Sequence, residues 1–72
     1  MTEEEYYAWF EGHGFKRTGE ATLLTEEWSD DKGTFIIAPR PSELSAADRA
    51  AAIERMSNYL GIGRPIGGGG VH

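Results

Sequence analysis

The chain has no cysteine. Disulfide bracing, thiolate metal sites and thiol nucleophiles are therefore excluded. Imidazole is also scarce, with His13 and His72 the two histidines. No apolar run approaches the ~20 residues of a membrane helix. The acidic amino terminus is unlike the basic start of a secretory signal, so a cytoplasmic location is the expectation. There is no internal repeat. A chain of 72 residues makes one domain. At this size only roughly 60% of the unfolded surface is buried on folding. Without disulfides, stability must come from a packed aromatic core or from oligomerisation.

Aromatic side chains are what the chain does have: Tyr6, Tyr7, Trp9, Phe10, Phe15, Trp28, Phe35 and Tyr59. Charge is unevenly spread. Residues 1–31 hold nine acids and two bases, residues 32–72 three acids and five bases, giving −7 and +2 and the net −5. The acidic front half opposes a phosphate backbone, so nucleic acid is an unfavoured partner. It suits a basic protein surface, or the basic half of a second copy. An ordinary solvated surface is the competing explanation.

Thr2 and Glu5 have capping-box spacing, and Tyr6, Trp9, Phe10 and His13 recur at helical intervals. The sequence predicts a helix over about 3–12, ended at Gly14 with Phe10 and Phe15 in contact. Phe15–Thr18 reads as a first strand closed by Gly19, and Ala21–Trp28 as a second. Ser29–Gly33 reads as a hairpin connection and Thr34–Ala38 as a third strand. Pro39 and Pro41 end that strand. A second helix starts at Ser45, with Ala46, Ala50, Ile53, Met56 and Leu60 as its apolar stripe, widened by Ala52 and Tyr59, and ends at Gly61. Ile62 is placed against Met56.

The expected fold class is α+β: a three-stranded antiparallel sheet with two helices on one face, in the order α-β-β-β-α. Residues 1–62 form the compact domain, and 63–72 a flexible glycine-rich tail. With Phe35 and Ile37 toward the helices, Ile36 points to the open face. Leu23 and Leu24 cannot both point inward. The open face or the sheet edge is thus a candidate for self-association or partner binding.

Gly14-Phe15 after the first helix, Gly19 after the first strand, and Ala38-Pro39-Arg40-Pro41 after the third carry a likeness. In them the chain resembles the HicA-like family, whose fold is similar to the double-stranded-RNA-binding domain. The likeness covers about residues 5–62. It implies mRNA-cleaving toxins of toxin–antitoxin pairs that use a histidine after a Gly-Ser pair at the second strand. Here Glu20 and Ala21 follow Gly19, so alanine stands at the catalytic position. The later family histidine is replaced by Pro41. Both departures strike the chemistry and spare the scaffold.

His13 is the remaining candidate base, and it serves only if the ribonuclease alternative holds. Nothing in the sequence supplies an orienting partner. Glu3-Glu4-Glu5 and Asp30-Asp31 lack the spacing of a metal or calcium site, so neither metal nor cofactor is expected. Gly61–Gly67 is one residue too long for a dinucleotide fingerprint and follows a helix where a strand is required.

Arg40, with proline on both sides, presents its guanidinium from a stiff stem suited to a carboxylate or phosphate, or to an internal bridge with Glu43. Arg49 falls within the apolar stripe of the second helix, as a snorkelling residue or a contact site. Arg64 in the tail is a weaker candidate. Tyr7 is too crowded by its neighbours to be wholly inward.

The sequence thus points to a non-enzymatic acidic module that binds a protein: a regulator, an accessory subunit or a phage-type inhibitor, with homodimerisation as one mode. Arg40, Arg49, Tyr7, Ile36, Glu26, Glu27, Asp30 and Asp31 are its candidate contacts. The alternative is a divergent HicA-like ribonuclease or RNA-binding domain. Convergence of Lys16, Arg17 and Arg40 on one open patch would favour that alternative.

Overall fold

A computed structural model describes residues 1–61. The flexible tail expected at 63–72, with Arg64 and the Ile62–Met56 contact, lies outside the described residues. Elements follow in the order α1 (Glu3–Gly12), β1 (Lys16–Ala21), β2 (Thr25–Ser29), β3 (Phe35–Pro39), a 3-10 turn (Pro41–Glu43) and α2 (Ala46–Leu60). The α+β architecture expected from the sequence is the one observed. The three strands form an antiparallel sheet in the order β1-β2-β3. The α-β-β-β-α order is compatible with the double-stranded-RNA-binding-domain and HicA-like scaffolds. No helix among the described residues is long and apolar enough to cross a membrane.

The ends of α1 are set locally. Thr2 Oγ1 accepts from the Glu5 N–H at 3.0 Å, and Glu5 Oε1 accepts from the Thr2 N–H at 2.8 Å. Gly14, at φ +85°, turns the chain out of the helix. The Phe15 N–H then reaches the Phe10 carbonyl at 2.9 Å, and the Gly14 N–H the Glu11 carbonyl at 3.1 Å. These two bonds satisfy carbonyls that a helix end leaves unpaired, and they bring Phe15 onto Phe10. Ser45 caps α2 by accepting from the Asp48 N–H at 3.1 Å.

The core is aromatic. Tyr6, Phe10, Phe15 and Trp28 are buried with Ala38, Ala52 and Ile53. Phe10 stacks flat on Trp28 with ring centroids 4.3 Å apart and meets Tyr6 edge-on at 5.3 Å. Aromatic pairs in these geometries add about 0.5–1.5 kcal/mol each beyond area burial, a useful increment without a disulfide.

Three expectations are corrected. First, Gly19 does not close the first strand. β1 continues to Ala21, and the register with β2 shifts between Arg17 and Ala21 around Gly19, whose φ is +99°. The reversal comes at Thr22, whose Oγ1 accepts from the Leu24 and Thr25 N–H groups at 3.1 and 2.9 Å. A side-chain oxygen that binds the backbone two and three residues on outweighs the strand propensity of this stretch. Leu23 and Leu24 therefore sit exposed in a turn.

Second, the faces of β3 are reversed. Trp28 takes the inner face of β2 and pairs with Ile36, while Glu27 pairs with Ile37. Ile36 is half-buried against the core, whereas Phe35 and Ile37 are 63% and 70% exposed. The largest side chain fixes which face is inside, and the period of two does the rest.

Third, the predicted stripe of α2 holds only in part: Ala52, Ile53, Met56 and Leu60 face the core as expected, but three of its members do not. Ala46 and Ala50 are exposed and Tyr59 is 88% exposed, while Ser57 is buried beside Ala52 and Ile53. Ala46 and Ala50 lie in the first turns of the helix, and alanine gains little by burial, so their exposure costs little.

Candidate functional site

Two features stand out: a charged cluster around Glu26 and an apolar groove along β3. Glu26 lies on the inner face of β2, its side chain 8% exposed. Arg17 Nη1 approaches its Oε2 at 3.3 Å and Arg40 Nη1 at 3.5 Å. Tyr7 donates its hydroxyl to Oε1 at 3.1 Å. Arg17 also lies over the Tyr7 ring, 4.7 Å from its centroid, and over Trp28 at 5.5 Å. Arg40 Nε donates to the Thr22 carbonyl at 2.9 Å, tying the end of β3 to the β1–β2 turn. Burial raises the pKa of the Tyr7 hydroxyl, and its bond to Glu26 adds to the effect. Burial pushes Tyr6 up to about 12, with Glu26 and Tyr7 contributing. The Tyr6 hydroxyl donates to the Pro39 carbonyl at 2.7 Å.

The stiff guanidinium of Arg40 thus finds its carboxylate inside the molecule, at Glu26 and not at Glu43. Arg17 and Arg40 converge, but on an internal acid. Lys16 lies instead with Asp30 and Asp31 around a separate hollow. The open basic patch that would favour RNA is not what these three residues form.

Glu26 is an internal side chain with no free surface for a partner. Arg49 is also enclosed: Nε donates to the Pro41 carbonyl at 3.0 Å, Nη1 to the Met1 carbonyl at 2.8 Å, and Nη2 lies 4.0 Å from Glu3. It pins the amino terminus and the 3-10 turn to α2. Tyr7 is half-buried under Arg17, and Ile36 faces the core. Asp30 shapes the hairpin by accepting from the Lys32 and Thr34 N–H groups at 3.0 and 2.8 Å. The Thr34 bond, chiefly, holds its carboxyl below the usual range. Glu27, on the outer face, accepts from Thr18 at 2.7 Å, and Asp31 is exposed.

His13 caps α1. Its Nδ1 lies 2.8 Å from the Trp9 carbonyl, which can only accept, so Nδ1 carries the proton. Its ring packs 4.6 Å from Trp9. No carboxylate is hydrogen-bonded to it among the described residues. Ala21, where the resemblance would put a histidine, is the last residue of β1 and is exposed. No group of three or more His, Asp or Glu side chains suited to a metal occurs among the described residues.

Of the candidate contacts singled out from the sequence, Ile36 is the one that lines the groove. The groove is an open hollow of about 490 Å³ between β3 and the flank of α2, with Phe35, Ile36, Ile37 and Pro39 on the strand side and Ala52, Arg55, Met56 and Tyr59 on the helix side. The signal that could have found it is Trp28. The short hairpin pairs Ser29 with Phe35. Placing the tryptophan inside then puts Phe35 and Ile37 outside. No family model, curated protein or solved structure matches this chain.

Proposed function

We propose that this chain is a non-catalytic protein-binding module that docks its partner along the outer edge of β3 and the adjoining flank of α2. The observation that carries the reading is the exposure of Phe35, Ile37 and Tyr59, at 63%, 70% and 88%, around one groove. Scattered surface aliphatics are ordinary, but large apolar side chains gathered beside the free edge of a strand form a recognition surface. An extended partner segment gains main-chain hydrogen bonds from the edge and side-chain contacts from the groove. Exposed acids such as Glu4 and Asp31 supply long-range attraction toward a basic partner surface. The charged cluster serves the fold: Glu26 already satisfies Arg17, Arg40 and Tyr7.

The experiment is affinity capture from an extract of the source cells. The wild type is compared with a Phe35→Lys/Ile37→Lys variant. Both substitutions sit at exposed positions and leave the core untouched. Loss of specific capture by the variant is the expected result. Equal capture by both proteins removes the β3 edge as the docking site of a foreign partner. Cleavage of labelled RNA by the wild type, abolished by His13→Ala, would overturn the non-catalytic reading altogether.

A further inference from the structure

We infer that the occupant of the β3 edge is a second copy of this chain, paired antiparallel about a two-fold axis through Ile36 to form a six-stranded sheet. The inference rests on the reading of that edge as a docking surface and names what docks there.

The register follows from backbone geometry. In an extended strand the N–H and C=O of one residue point to the same side, and successive residues alternate. The Thr34 carbonyl accepts from Asp30 at 3.1 Å, and the Arg40 N–H donates to Leu24 at 2.8 Å. Even-numbered positions of β3 therefore face β2, and Phe35, Ile37 and Pro39 face the free edge. Pro39 has no N–H, and its carbonyl already accepts from Tyr6. The groups left to pair are the N–H and C=O of Phe35 and Ile37. A two-fold axis at Ile36 sets Phe35 of each copy against Ile37 of the other and satisfies all of them with four hydrogen bonds. Centring on Ile37 sets Phe35 against Pro39, which cannot donate. Centring on Phe35 sets Ile37 against Gly33, whose N–H is turned to Asp30 at 3.5 Å.

Chemistry and area agree with a second copy. The five residues of β3, Phe-Ile-Ile-Ala-Pro, carry no charge, so this edge is its own best match. The other edge, β1, carries Lys16, Arg17 and Glu20 and is irregular at Gly19, features that discourage pairing. With aromatic side chains of ~200 Å², Phe35, Ile37 and Tyr59 together expose roughly 400 Å² per copy. Specific interfaces bury about 600–1,000 Å² per partner, a range approached once Ile36, Met56 and the strand backbone are included. The dimer is therefore at the small end, with dissociation expected at roughly 1–100 µM.

The test uses the full chain, whose lack of native thiols makes introduced cysteines unambiguous. Sedimentation equilibrium should show a concentration-dependent dimer that Ile37→Lys weakens about tenfold or more. Circular dichroism checks that the variant is folded. Ile36→Cys should form a symmetric disulfide, because the Cα atoms of such a non-hydrogen-bonded pair lie about 4.5 Å apart, within disulfide range. As a second probe at exposed sites, Phe35→Cys and Ile37→Cys should crosslink when mixed and far less when alone. A wild type that stays monomeric up to ~1 mM, well above the strength argued from its area, overturns the dimer. So does a dimer that Ile37→Lys leaves intact and that gives neither crosslink. A monomer whose partner capture is still abolished by Phe35→Lys/Ile37→Lys overturns the second copy and keeps the docking edge. The predicted crosslinks together with unchanged capture support this inference and remove the foreign partner.

Discussion

Glu26 accepts from side chains of three separate segments: Tyr7 of α1, Arg17 of β1 and Arg40 beyond β3. Glu26→Gln leaves two guanidinium groups facing a neutral amide. Breaking a buried pair costs about 3–5 kcal/mol, and the half-exposure of Arg17 reduces this to roughly 2 kcal/mol, measurable by urea denaturation. Arg17→Met, which keeps the stem over Tyr7, should cost about 1 kcal/mol or less. Tyr6 gives a pH signature. Its folded pKa is raised from 10.0 to about 12, so its contribution is intact below pH 10 and is lost as the pH rises toward 12. Alkaline denaturation should reveal about 2 kcal/mol lost across that window, and Tyr6→Phe should abolish that part of the slope. Sequence showed that Arg40 is held stiffly, because proline acts locally. It could not show that Glu26 is the carboxylate it meets, because that pairing spans 14 residues and depends on sheet register.

At the scale of elements, the local rules were the legible ones. The Thr2–Glu5 box and the Phe10–Phe15 contact past Gly14 were readable because each involves neighbours within six residues. Thr2→Ala should lower stability by about 1 kcal/mol, and Ser45→Ala by a similar amount, each seen as a shifted denaturation midpoint. Gly14→Ala should cost about 1 kcal/mol, since a Cβ meets nothing there but the positive φ opposes it. The β1–β2 reversal was misplaced because glycine is the stronger turn signal in isolation. The Thr22 hydroxyl wins by binding the Leu24 and Thr25 N–H groups. Thr22→Val, which keeps the shape and removes that acceptor, should destabilise the hairpin by about 1 kcal/mol, with the largest chemical-shift changes at residues 22–25.

For the whole molecule, the α+β class followed from the order of patterned segments, and the sheet edge was already a candidate contact, but which β3 side chains are exposed there did not follow. The face of β3 is decided by Trp28 through its pairing with Ile36, a register that the strand pattern of β3 alone does not carry. Net charge spoke to association and not to its location. If copies pair through β3, the thermal midpoint should rise with protein concentration, and Ile37→Lys should flatten that dependence. Such a dimer keeps β1 as both outer margins of its sheet. There the Gly19 kink and the ionic side chains of Lys16, Arg17 and Glu20 leave no flat ribbon for a third molecule to extend. Assembly should therefore halt at two, and concentrated solutions should stay clear and free of fibrils while the native fold persists.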